Sequence, residues 1–367
     1  MLSIKPQLTD ELEKHLGGKD IWRAPAFPVS TYRALVEHVA RLAYANRNQL
    51  LFFRGQNKDY QSKAEGSTLY PAIYRGDNLL QAELEVRFKK LASSERALVN
   101  LFKSHKIEGS RDVSHKKYIQ WSILQHYEVV ATPLLDVTQS LRVACSFAQM
   151  ASTDSQCFVY VLGLPFPTNR ISVNSEEELV NIRLLSICPP AALRPYYQEG
   201  YMAGTPDVTN EYDVKTELDF RNRLIAKFGI PHTKSFWNDG FEITPRAALY
   251  PNNDKVEQLC RELIGRVEDE ASAEGDVGKL LVEWARLEEK IVPLARHRSE
   301  RNVSVGDAIR ILLQQHLVPK DIAISLENVR RVRNLAAHAP SRVRDDEAQV
   351  AIRVLRDINK RLELPKA

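Results

Sequence analysis

An arginine that ends a buried strand and is followed by glycine can bring a guanidinium and open backbone against a phosphate. Arg54-Gly55-Gln56, closing the run Gln49-Leu50-Leu51-Phe52-Phe53, has that form. Further along, Thr132 to Ser140 forms a threonine-rich turn (Thr132, Asp136, Thr138, Ser140) that enters a helix, offering N–H groups and hydroxyls to an anion. Structural readings stand beside this chemistry. Arg54 and Asp136 can form an ion pair, each favouring the other's charged form. Asp136 or Thr138 can cap the helix that runs through Ala148, and His126, beside Tyr127, can be a hydrogen-bonded core histidine.

A second cluster, Arg330-Arg331-Val332-Arg333-Asn334, ends five residues later at His338. Five residues along a straight helix turn the side chain by about 140°, so Arg333 and His338 point apart. Asn334 and His338 share a face with Arg330. A site using both Arg333 and His338 needs the helix to loosen near His338, where Pro340 biases Ala339 away from helical geometry, or two copies meeting face to face. The plainer alternatives are a solvated amphipathic face and a histidine favoured by a helix end.

These residues need elements to hold them. Leu35, Val36, Val39, Leu42 and Ala43 recur at helical spacing behind Pro28 and a Ser30/Thr31 cap. Residues 49–56 read as a short buried strand that delivers Arg54 to its end. Residues 79–105 and 117–129 read as helices, the Leu134-Leu135-Asp136 stretch as a turn running into a third helix, and Cys157–Leu164 as a strand. Thr168–Asp254 mixes short strands with proline and glycine, which suits irregular α+β structure. From about Lys255 the texture is helical throughout, with a loop expected at Ala273–Asp276. A mixed domain at 1–255 followed by an all-helical bundle at 256–367 is the economical division.

The chain has 367 residues, enough for two domains. Lys and Arg number 51 against 47 Asp and Glu, so any basic patch must be local. Cys145, Cys157, Cys188 and Cys260 stand alone among apolar neighbours and read as buried reduced thiols, against a zinc site or a disulfide framework. The charged N-terminus has no signal-like apolar stretch, and no segment has transmembrane length. The expectation is a cytoplasmic protein without a membrane partner.

The first domain resembles the FRG family on Phe53-Arg54-Gly55-Gln56, Leu69–Arg75, Leu124–Tyr127, Thr132–Thr138, Ala144 and Phe147-Ala148. Arg194 with Gln198 and Gly200, Ile230-Pro231 and Leu249-Tyr250-Pro251 extend it. Where the family carries glycine after the His-aromatic pair and tryptophan after Leu-Leu-Asp, this chain has Glu128 and Val137, and the segment between His126 and Thr132 is one residue longer. The order of an early arginine, a Ser/Thr-bearing strand or turn and a late acidic or amide residue is similar to that of ADP-ribosyltransferases. That likeness implies NAD as ligand. Arg54 would bind its phosphate, Thr138 or Ser140 would support the nicotinamide-ribose pocket, His126 would line it, and Gln198 or Glu199 would take the catalytic place.

The last hundred residues or so resemble HEPN ribonucleases through Arg333-Asn334 and His338, with the Trp284–Leu287–Glu288 helix around them. The resemblance implies a homodimer whose shared cleft cuts RNA without a metal. His338 would act as general acid or base, Arg333 would stabilise the transition state, and Asn334 would orient the reacting groups. Arg330, Arg331, Arg342 and Arg344 would track the RNA backbone. Together the resemblances imply a toxin or antiviral-defence effector, an RNA substrate and a regulatory or antitoxin partner. Two alternatives stay open: an NAD-dependent ADP-ribosyltransferase with a non-catalytic dimerising module, and a non-enzymatic sensor or adaptor.

Overall fold

The computed structural model describes residues 1–62, 66–76, 79, 81–150, 152, 154–206, 208, 214–296, 305–315, 319–338 and 343–361. Within its helices, the side chains of residues 82, 266–275, 294, 296, 320, 338, 345 and 361 are not described. The chain divides into two compact units, Met1–Asp77 with Phe88–Ile264, and Asn78–Arg87 with Gly265–Ala367.

The first unit is α+β. Its strands are β1 (Phe27–Pro28), β2 (Leu50–Gln56), β3 (Gln61–Ser62), β4 (Gly66–Ser67), β5 (Leu135–Thr138), β6 (Gln156–Leu164), β7 (Ile171–Asn174), β8 (Leu179–Arg183), β9 (Gly200–Gly204) and β10 (Leu224–Pro231). Eight of them form one sheet in the order β1-β10-β6-β2-β5-β9-β8-β7, while β3 and β4 pair separately. Among the described residues, the parallel pairing is at the β1–β10 edge. β2 lies in the middle, paired antiparallel along its length with β6 and, at Phe53, with Thr138 of β5.

The continuous apolar run in β2 reflects burial on both faces. Successive side chains alternate. Leu51 and Phe53, with Val159 and Val161, pack against Leu35 and Leu42 of the helix Tyr32–Ala45 and Ala144 and Ala148 of the helix Leu141–Met150. Phe52, with Tyr160 and Leu162, packs on the other side with Leu135, Val137, Tyr201 and Phe220. The first of these helices begins as the sequence predicts, with Thr31 Oγ1 accepting the Ala34 N–H at 3.2 Å.

Two local expectations are corrected. Leu135–Thr138 is a strand, because its ladder partner is β9, more than sixty residues downstream (Val137 faces Tyr201). The cap of the following helix comes from Ser140, whose Oγ accepts the Val143 N–H at 3.4 Å, in place of Asp136 or Thr138. The loop expected at Ala273–Asp276 is absent too: one helix runs unbroken from Lys255 to Arg296. A lone glycine costs a helix only about 1 kcal/mol, and Gly275 follows Ala273 and Glu274, both good helix formers.

The second unit is a bundle of the part of that helix from Gly265 onward with Val305–Gln314, Lys320–His338 and Asp345–Arg361. Leu280, Trp284, Leu287, Ile291 and Ala295 recur every three or four residues and meet Leu312, Leu326, Val329, Ala336, Ile352 and Leu355 in its core. Among the described residues, no helix is long and apolar enough to cross a membrane.

Candidate functional site

β2, β5 and β9 run side by side, with Phe53 opposite Thr138 and Thr138 opposite Gly200. At this point the sheet opens into a cavity of about 240 Å³, lined among others by Arg54, Gln125, His126, Asp136, Thr138, Arg194, Gln198 and Tyr250. Arg54, His126, Asp136, Thr138 and Gln198, chosen from separate stretches of sequence, therefore meet around one hollow. Gly55 also reaches its rim. Gln56, Ser140 and Glu199 do not line it. Gln56 has a buried amide oxygen without a partner among the described residues, and Glu199 is exposed at φ 45° in the turn before β9.

Of the alternative readings, the ion pair of Arg54 with the Asp136 carboxylate is absent among the described residues. Arg54 Nη1 donates to the Asp136 backbone carbonyl at 2.7 Å, and its Nε is buried without a partner among the described residues. Burial, reinforced by the positive charge of Arg75, pushes the guanidinium down to about 10, against the pull of Asp136. It still carries its charge at neutral pH.

The Asp136 carboxylate instead serves its neighbours on the helix Lys117–His126. Oδ1 lies 3.3 Å from His126 Nδ1, and Oδ2 accepts the Gln125 amide at 2.9 Å. Gln125 is itself fixed, its oxygen accepting from Thr132 Oγ1 at 2.9 Å. Burial raises the Asp136 carboxyl, but the bond and charge of His126, with Arg54 and Gln125, outweigh it and hold it below its ordinary value. His126 is 5 % exposed, and its Nε2 has no partner among the described residues. A histidine oriented by a carboxylate through one nitrogen, with the other unspent, has the form of a general base.

Other groups build the walls. Thr138 Oγ1 is within 3.0 Å of the Gln198 carbonyl and 3.1 Å of the Glu199 carbonyl, and accepts the Ser140 N–H at 3.1 Å. Its hydroxyl ties β5 to the turn before β9. Gln198 gives Nε2 to the Leu249 carbonyl at 2.9 Å, which leaves its amide oxygen for a ligand. Gly200 keeps room for the imidazole: a Cβ there would come within 3.3 Å of His126 Cε1 and 2.8 Å of Leu184 Cδ1.

Asp254 has no counterpart in the sequence reading. It is almost wholly buried, and Oδ2 accepts Tyr127 Oη at 2.7 Å and the Leu193 and Arg194 N–H groups at 2.9 and 2.8 Å. Oδ1 caps the helix at Lys255 through Val256 and Glu257. The cap partners are local, but Leu193, Arg194 and Tyr127 lie about 60 and 127 residues away, so no local pattern announces its role beside the cavity.

In the helical unit, Arg333 and Asn334 are half-buried on Lys320–His338, with Arg333 Nη1 donating to Asn334 Oδ1 at 3.2 Å. Arg333 Nη2 is 3.8 Å from Glu288, and Nε is buried without a partner among the described residues. The helix holds through His338, so the two positions stand on different faces of it. The His338 side chain, and Arg342, Pro340 and Ala339, lie outside the described residues. Arg330 is gripped by Glu327 at 3.0 and 2.6 Å, and Arg344 by Glu347 at 2.7 Å, while Arg331 is exposed.

Compared with known proteins, residues 49–157 match the family model of the FRG domain. The match contains Arg54, His126, Asp136 and Thr138. Arg194, Gln198, Gly200 and Tyr250 complete the cavity from beyond it. No curated protein and no solved structure matches the chain.

Proposed function

We propose that the FRG-domain cavity binds an NAD-class dinucleotide and that its residues support transfer of the ADP-ribosyl group. The observation that carries this reading is the convergence of Arg54, Thr138 and Gln198 from β2, β5 and the turn before β9 on one hollow. About 240 Å³ is less than the roughly 300–1,000 Å³ of a pocket for a whole drug-sized ligand. It suits the nicotinamide-ribose half, with the rest lying across the mouth.

In this reading Arg54 takes phosphate oxygens and the Gln198 amide oxygen takes a ribose hydroxyl. Phe53, Phe147 and Tyr250 shelter the flat nicotinamide. Asp136, ionised at neutral pH, complements positive charge developing at the ribose carbon. His126 Nε2 removes the proton of the acceptor as that acceptor bonds to the ribose carbon, and nicotinamide departs with the bonding electron pair. The test is calorimetric titration of the purified chain with NAD and with ADP-ribose, together with an assay of released nicotinamide. Binding and release by wild type, both lost in Arg54→Gln, are expected. A folded wild-type protein that takes up neither compound sinks the reading.

A second reading concerns the helical unit: a HEPN-type ribonuclease within a toxin or defence effector, paired with a second copy. It is favoured by Arg333, whose buried Nε has no partner among the described residues, beside Asn334. RNA cleavage in EDTA that leaves 2′,3′-cyclic ends and disappears in His338→Ala is its expected sign. Intact RNA with wild type removes it.

A further inference from the structure

Besides Arg54, the cavity has a second guanidinium, and its counter-ion comes from the protein surface. Arg194 begins the short helix Arg194–Tyr197 and is 6 % exposed. Its Cζ stands 4.5 Å from the Tyr250 ring centroid and 5.6 Å from that of Tyr127. The Arg194 N–H is anchored on Asp254. Nη2 donates to Glu128 Oε1 at 2.6 Å, while Nε is buried and has no partner among the described residues.

Glu128 is the opposite kind of partner. Its side chain is 72 % exposed, and its backbone holds φ 58°, a conformation L side chains rarely adopt. Its carboxylate accepts from Arg194. One member of the pair is fixed by aromatic rings and a buried carboxylate. The other reaches inward from solvent and can swing away without disturbing the core. Both line the cavity.

We infer that Arg194 is the cavity's second anion-binding residue and that Glu128 is a resident stand-in for the ligand's anion, displaced when a diphosphate enters. The inference rests on the reading of the cavity as a nucleotide site and adds what sets its affinity. A diphosphate brings two charged groups to a cavity with two arginines. Planar guanidinium groups match phosphate oxygens in pairs. The Glu128 carboxylate, already in solvent, returns to water when displaced, so the incoming anion has only to replace its bond to Arg194.

The experiment is calorimetric titration of the full chain with ADP-ribose and, separately, inorganic pyrophosphate. Wild type, Glu128→Gln, Arg194→Gln and the double variant are compared, with circular dichroism confirming that each is folded. Glu128→Gln is expected to bind both probes more tightly, on the order of tenfold. Arg194→Gln is expected to bind more weakly, and the double variant to show no gain over it. Tight ADP-ribose binding by wild type without a gain in Glu128→Gln overturns the stand-in and leaves the nucleotide reading intact. A gain that persists in the Arg194→Gln background also overturns it, since removal of any nearby negative charge would then suffice. Pyrophosphate binding with the Glu128→Gln gain, but no ADP-ribose binding by any variant, supports the stand-in and removes the nucleotide reading. Binding of neither probe by any variant overturns both.

Discussion

The backbone carbonyl of Ala144 stands where the side chain of any residue other than glycine at position 55 would have to begin. A Cβ on Gly55 would overlap the Ala144 oxygen and fall 2.9 Å from the Ala148 nitrogen. The helix Leu141–Met150 thus rests directly on β2, where Arg54, Gly55 and Ala144 line the cavity. The glycine of the Phe-Arg-Gly run has a packing role here, whatever chemistry its neighbour performs.

Gly55→Ala is therefore expected to destabilise the first unit by several kcal/mol, more than the roughly 1–3 kcal/mol of ordinary overpacking, because backbone cannot move aside as a side chain can. Urea unfolding followed by tryptophan fluorescence reads this directly. A midpoint equal to wild type would mean that the helix does not sit on β2 in solution.

Asp136 predicts a pH dependence. Its folded carboxyl is held below the ordinary value, so the native state binds that proton more weakly than the unfolded chain does. The stability it contributes is complete above about pH 4, the ordinary aspartate range, and is lost as pH falls through the lowered folded value. Asp136→Asn removes that contribution. Wild type and variant should differ most in urea midpoint near pH 7 and converge below pH 4. A gap of constant size at every pH would assign the effect to shape and not to charge.

Much of this arrangement was legible from local pattern. β2 and β6 announce themselves as apolar runs, and the helices Tyr32–Ala45 and Leu141–Met150 by their spacing. What escaped depends on distant partners. β5 has four residues and reads as a turn until β9 is laid beside it. The residues expected around the first site mostly do meet, but their pairings differ: Asp136 takes His126 and leaves Arg54 its backbone oxygen. Both options satisfy the same charges, and only the three-dimensional placement of the helix Lys117–His126 decides between them. The long helix from Lys255 hid for the opposite reason, since Gly275 imitates a break that its neighbours override.

Asp254 joins three segments through one carboxylate, so its loss should exceed that of any single partner. Asp254→Ala leaves the Leu193 and Arg194 N–H groups and the helix cap unsatisfied, each buried donor costing about 1–3 kcal/mol. Tyr127→Phe removes one bond and should cost about 1 kcal/mol. Thermal unfolding of the two variants compares them. Equal losses would show that Asp254 serves Tyr127 alone.

Glu128 allows backbone strain to be separated from charge. Both Glu128→Gly and Glu128→Ala remove the carboxylate from Arg194, so the cost of leaving that buried cation alone is common to the two. They differ at φ 58°, which alanine tolerates poorly and glycine freely. Left-handed geometry costs an ordinary residue roughly 1–2 kcal/mol. The glycine variant should therefore be the more stable of the pair by about 1 kcal/mol, whatever the sign of either change relative to wild type. Chemical denaturation of both at pH 7 gives the difference. Equal stability would mean that residue 128 leaves the left-handed region once its carboxylate is gone, in which case the ion pair with Arg194 is what holds the strained turn in place.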